Sequence, residues 1–195
     1  MMLSLKRRGL KAPRLAIGDG ALGFWAALEE VYPKTRGQRC WMHKTGNVLN
    51  YLPKSVQEKA KQALHDIWMA ESRADAEAAF DSFEERFGAK YPKAIECLAK
   101  DRETLLAFYD YPAEHWVHIR TSNVIESSFA TIRHRSRQAK GCVTRMTMPT
   151  MIYKMGQCAE GSWRKLRGFR HLAKVIEDVR FKDGIEVTEE DRAAA

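Results

Sequence analysis

Asp19 stands between Gly18 and Gly20, directly after the short apolar run Leu15-Ala16-Ile17. A carboxylate in that position is suited to holding a metal ion, since flanking glycines let backbone or substrate come close. The same three residues also read as an ordinary Asp-Gly turn. Glu126 is the second candidate, and its functional reading requires it to face Asp19 across a shared metal site. Asn123 three positions earlier gives the spacing of a capping box, in which the glutamate merely holds a helix start. Arg133, seven residues on, falls on roughly the same helical face as Glu126. Cys40-x-x-His43 has the spacing of half a zinc site, and His115-x-x-His118 is the available second half. The two halves lie far apart and no Cys-x-x-Cys pair exists, which argues against structural zinc and for a buried thiol beside a hydrogen-bonded histidine. Trp116 sits in a proline-containing loop near basic residues. There it either stacks on an unpaired base or anchors one part of the fold to another.

These side chains need elements to position them. Residues 14–19 read as a buried strand that ends in the Asp19 loop. Leu22, Trp25, Leu28 and Val31 then recur at steps of three, an apolar helical stripe, which Pro33 and Gly37 end. Gln38 to Met42 read as a second short strand. Strand, helix, strand is the pattern of a βαβ unit with parallel strands. Ligands of such sheets lie beyond the carboxyl ends of the strands, which is where Asp19 and His43 fall.

From Pro53 onward the pattern is helical. Ser55 and Glu58 suggest a capping box, followed by an apolar stripe from Val56 to Trp68. A second helix is predicted over 72–87, with Ala76, Ala79, Phe80, Phe83 and Phe87 on one face, and a third after Pro92. Residues 110–120 are irregular and aromatic. A further helix starts at 121–123, with Ile125, Phe129 and Ile132 as its predicted buried stripe, and one more follows Pro149. The division is 1–52 as an α/β portion, 53–120 as a helical insertion, 121–181 as the Glu126 helix with a basic region, and 182–195 as a loose tail.

The formal net charge of the chain is +8. Between Arg133 and Lys174 there are eleven Lys or Arg and one acid, Glu160, so this stretch carries more than the whole excess. Charge gathered in this way suits phosphate neutralisation, although a solvated basic helical face has the same composition. Arg133, Arg135, Arg137, Lys140 and Arg145 are the candidate DNA-contacting cations. No apolar run approaches the ~18 residues of a membrane span. The four cysteines, Cys40, Cys97, Cys142 and Cys158, are scattered. A reducing, cytoplasmic setting without a disulfide framework is expected.

Three ordered segments carry a resemblance. LAIGDGALGFWAALEEVYP resembles the strand–Asp–helix segment of the Mutator-type transposases of bacterial insertion sequences, GQRCWMHKTGNVLNYLP their Gln-Arg-Cys-x-x-His segment, and IRTSNVIESSFATIRHRSRQAKG their Thr-Thr-Asn-x-Ile-Glu segment. The resemblance runs to about residue 175. It implies a ribonuclease H-like α/β core, incomplete at its N-terminus, interrupted by an all-α insertion. It implies that Asp19 and Glu126 are the second and third acids of an Asp-Asp-Glu triad holding two Mg²⁺ (or Mn²⁺) ions. Cys40 and His43 would be the motif beside the active site, and Trp116 would help handle the DNA end. The implied activity is metal-dependent cleavage and strand transfer on double-stranded DNA by a homo-oligomer. The family's first catalytic Asp lies on an earlier strand, whereas residues 1–18 contain no acid. The expectation is therefore an N-terminally truncated transposase, inactive or nearly so alone. The alternative is a non-catalytic DNA-binding or regulatory module derived from one. Ser127-Ser128-Phe129 stands where the family has Arg-Leu-Asn after its acid.

Overall fold

The computed structural model describes residues 1–138, 144–161, 163 and 165–188. It is a mixed α/β arrangement dominated by helices. A short helix α1 (Met2–Arg7) precedes strand β1 (Leu15–Gly18), helix α2 (Leu22–Val31) and strand β2 (Arg36–Arg39). The two strands pair in parallel, Leu15 opposite Arg36 through Gly18 opposite Arg39. The Cys40 N–H donates to the Gly18 carbonyl at 2.8 Å and carries the ladder one residue past the strands. The predicted βαβ unit is present, with its second strand two residues earlier than the sequence pattern indicates.

Helices α3 (Trp41–Leu49), α4 (Lys54–Met69), α5 (Arg73–Phe87), α6 (Pro92–Ala99) and α7 (Arg102–Leu105) follow. Two 3₁₀ turns, Ala107–Asp110 and Ala113–His115, then lead into α8 (Trp116–Ile119). These elements form the main core. Leu64 and Ile67 of α4, Phe80 and Phe83 of α5 and Leu98 of α6 meet Trp41, Phe108 and Tyr109 with almost no solvent exposure. Ala76, Phe80, Phe83 and Phe87 supply the buried face of α5 at helical spacing. A smaller cluster of Leu28, Val31 and Tyr32 holds α2 against β1 and α1. Helices α9 (Asn123–Gln138), α10 (Met148–Glu160) and α11 (Leu172–Ile176) follow among the described residues, with a 3₁₀ turn at Phe169–His171 and a hairpin of β3 (Phe181–Lys182) and β4 (Ile185–Glu186).

Four expectations are corrected. Leu22 is exposed, so the covered side of α2 begins with the half-buried Phe24 and Trp25. Helix α4 starts at Lys54 behind Pro53, without a side-chain cap. Pro53 already supplies the extended backbone that precedes a first turn, so Ser55 and Glu58 lie inside the helix. The stripe on α9 is not buried, with Ile125 at 60% and Phe129 at 54% exposure. The reason is that α9 packs along α10 and touches the α/β unit chiefly at its own first turn.

The predicted loose tail begins too early. Asp183 and Gly184, both at positive φ, make a two-residue turn that pairs β3 with β4. The hairpin is docked by the Ala113 N–H on the Gly184 carbonyl and by the Gly184 N–H on the Tyr109 carbonyl. Asp183 also accepts from the Arg73 N–H. A Cβ at Gly184 would lie 2.9 Å from the backbone of Ala113, so only glycine fits there.

Candidate active site

Asp19 is the first residue past β1 and Cys40 the first past β2. Parallel pairing therefore brings both to the same carboxyl edge of the sheet. The Asp19 carboxylate is oriented by its own loop, since Oδ1 accepts the Ala21 N–H at 3.0 Å. The Asp19 carbonyl accepts the Trp25 indole N–H at 2.7 Å and a guanidinium N–H of Arg39.

Cys40 is the residue immediately before α3, in extended backbone, and His43 lies in the first turn of that helix. The segment leading into α9 docks on this junction. The Trp41 N–H donates to the Arg120 carbonyl at 3.0 Å, and the Ser122 N–H donates to Cys40 Sγ at 3.2 Å. Ser122 Oγ lies 3.2 Å from Cys40 Sγ and 3.5 Å from His43 Nδ1, and it also bonds Glu126 Oε1. A hydroxyl carries one proton, so Ser122 donates to the sulfur or to the carboxylate at any one time. His43 Nδ1 is 3.7 Å from Glu126 Oε1. Glu126 thus stands one turn into α9, held by Ser122 rather than by the capping box read around Asn123.

The electrostatics tie the cluster together. Burial alone would push the Cys40 thiol up. The hydrogen bonds it accepts from Ser122 and His43 outweigh burial and hold it below the ordinary thiol value. The His43 imidazole is raised above its ordinary value, chiefly by its hydrogen bond to Cys40. The negative charges of Cys40, Glu126 and Asp19 add to this against partial burial. Glu126 therefore lies against this imidazole, and the charge of Asp19 makes the smallest contribution to its shift.

The remaining candidates lie elsewhere. Trp116 is 7% exposed, packed edge-on against Phe108 and Tyr109, with Arg120 over its ring and its N–H on the Tyr111 carbonyl. Its ring faces are occupied, so it anchors the helical core and offers no open stacking platform. His115 is buried against the Gly168 carbonyl at 2.9 Å, and His118 accepts the Arg167 N–H. The structure therefore does not bring this pair together with Cys40 and His43. Among the described residues no three His, Cys, Asp or Glu are grouped as a metal cage. Arg133, Arg135 and Arg137 are exposed along α9, and Arg145 is exposed before α10. Lys140 lies outside the described residues. No helix among the described residues is long and apolar enough to cross a membrane.

Sequence reasoning missed Ser122, whose position just before the α9 start was the available signal. It also missed Arg39, Lys44 and Asp101. Lys44 is 1% exposed, with its ammonium donating to the Cys97 carbonyl at 2.8 Å and to the Asp101 carboxylate.

The comparisons with known proteins agree with one another. The sequence profile of a family described as "Transposase, Mutator family" matches residues 1–156. The chain is 55% identical over 186 residues to the transposase for insertion sequence element IST2 of Acidithiobacillus ferrooxidans, covering 95% of this chain and 63% of that protein. It is 49% identical over 176 residues to the transposase for insertion sequence element IS6120 of Mycolicibacterium smegmatis, covering 90% of this chain and 54% of that one. A more distant relative, the transposase for ISRM5 of Rhizobium meliloti, is 29% identical over 135 residues. The chain thus spans between about half and two thirds of the length of the two more similar relatives.

Proposed function

Since the chain belongs to the Mutator family of transposases, we propose that it carries two of the metal-binding carboxylates of a DNA-transposing centre, Asp19 and Glu126. The observation that carries this reading is the placement of Asp19 directly after β1, at the carboxyl edge where Cys40 follows β2, with Glu126 3.7 Å from His43 Nδ1 in the first turn of the next helix. The donor set fits a hard divalent cation, because carboxylate oxygens are the protein ligands Mg²⁺ and Mn²⁺ take, a few at a time. When bound, such ions would activate an attacking oxygen and steady the leaving oxygen during displacement at phosphorus.

The chain's own contribution is placement. The turn after β1 orients the Asp19 carboxylate, and the docked first turn of α9 holds Glu126 beside Ser122 and His43. The ribonuclease H-like reading rests on this βαβ unit followed by a helical insertion and an acid-bearing helix. The exposed arginines of α9, which continue away from Glu126, suit the backbone of double-stranded DNA. That same stripe supports the second reading, a DNA-binding or regulatory module, which needs the cations and not the acids.

Mn²⁺ titration of the ¹⁵N-labelled full chain separates the two. Paramagnetic broadening at the amides of Gly20 and Ala21 and at Ser127, lost at both places in Asp19→Asn, is the expected result. If Mn²⁺ broadens neither group while DNA binding survives Glu126→Gln, the metal-centre reading fails and the binding module stands.

A further inference from the structure

The Asp19 loop is held by a contact whose far end lies in the helical region. Arg39, the last residue of β2, donates from Nη1 to the Asp19 carbonyl. Its Nη2 meets Asp101 Oδ2 at 3.3 Å. Asp101 lies between α6 and α7, sixty-two positions along the chain from Arg39. The same carboxylate oxygen takes the ammonium of buried Lys44 from α3. Arg39 is itself enclosed, its side chain 12% exposed and its guanidinium 5.9 Å from the Trp25 ring centre. Trp25 in turn donates its indole N–H to the same Asp19 carbonyl. A Cβ at Gly20 would lie 3.1 Å from Arg39 Nη2, so the glycine leaves room for the guanidinium beneath the loop.

We propose that Asp101 and Arg39 are positioning residues for Asp19, through which the helical region fixes the loop that carries this acid. The inference rests on the reading of Asp19 as a functional carboxylate, but its geometry does not depend on a metal. Asp101 is one anion shared by two enclosed cations. Its charge sets where Arg39 lies, and Arg39 sets the Asp19 carbonyl. A guanidinium suits this task because its rigid fork addresses a carboxylate and a carbonyl from different nitrogens. An arrangement of this kind makes the position of Asp19 depend on α6 and α7 being folded, although neither helix supplies a residue to the site.

The test is hydrogen exchange by NMR on the full chain, reading the Trp25 indole N–H and the Ala21 amide, whose acceptors both belong to Asp19. In Asp101→Asn and in Arg39→Met both protons should exchange about tenfold faster or more, as expected for a loop released locally. The core amides of Leu64 and Phe83 should hold their wild-type rates, and Arg39→Lys should recover part of the protection. The proposal is overturned if Asp101→Asn leaves the two loop protons within about twofold of wild type. It is equally overturned if they speed up only in step with Leu64 and Phe83, which would mark a loss of global stability alone. Mn²⁺ broadening, measured separately, tests the metal centre and has no bearing on how Asp101 and Arg39 hold the loop.

Discussion

His43 is where the chemistry of this chain is most exposed to solution conditions. Its imidazole donates a hydrogen bond to the Cys40 sulfur and feels the charges of Glu126 and Asp19, and its pKa is raised from 6.5. Folding thus favours the protonated ring. The stabilisation is complete below pH 6.5 and is lost as pH climbs through the higher folded-state value. Wild type should accordingly lose stability relative to His43→Gln over that upward window in urea titrations. The NMR midpoint of His43 should fall back toward 6.5 in Cys40→Ala, because the largest cause of its shift is removed. Asp19, Glu126, Cys40 and His43 stood out as candidates from residue type and local spacing, and their proposed roles came from the family resemblance. Arg39, Lys44 and Asp101 were not. Their contacts join positions such as 44 and 101, and no local periodicity reports a pairing made by tertiary folding.

At the level of elements, sequence pattern served best where one face decides the outcome. Helix α5 follows its five-residue apolar stripe, and Ser72 caps it, its Oγ accepting the Asp75 N–H at 3.1 Å. Ser72→Ala should cost about 1 kcal/mol in denaturant unfolding. The C-terminal hairpin was legible in principle, because Asp183-Gly184 between Phe181 and Ile185 is a strong two-residue turn signal. The polar composition around it masks that signal. Gly184→Ala forces a positive φ on alanine and drives a methyl into Ala113, so a loss of about 2 kcal/mol or more is expected in the same measurement. Helix α9 went the other way. Its apolar residues obey helical spacing, but spacing states only that Ile125 and Phe129 share a side, not that another element covers it.

The whole molecule separates its charge from its core. The large core is gathered from Trp41 to Trp116, whereas the cationic stretch from Arg133 to Lys174 holds the entire formal excess. If this stretch meets duplex DNA through phosphates, affinity should fall steeply with salt. Replacing Arg133, Arg135 and Arg137 together by Gln should flatten the slope of log K against log salt by about 2 to 3, roughly 0.9 for each phosphate no longer neutralised. An unchanged slope would put the DNA on another face. The parallel pairing of β1 with β2 has a kinetic consequence. Parallel strands need a crossover, and Glu126 reaches the strand edge only after the chain has returned from 107 positions beyond Asp19. Contacts so distant in sequence carry a loop-closure cost that near-neighbour helix pairs such as α4 and α5 escape. Refolding should therefore build the helical core first and assemble the acid-bearing edge last, leaving a window in which the chain is compact but its site does not yet exist.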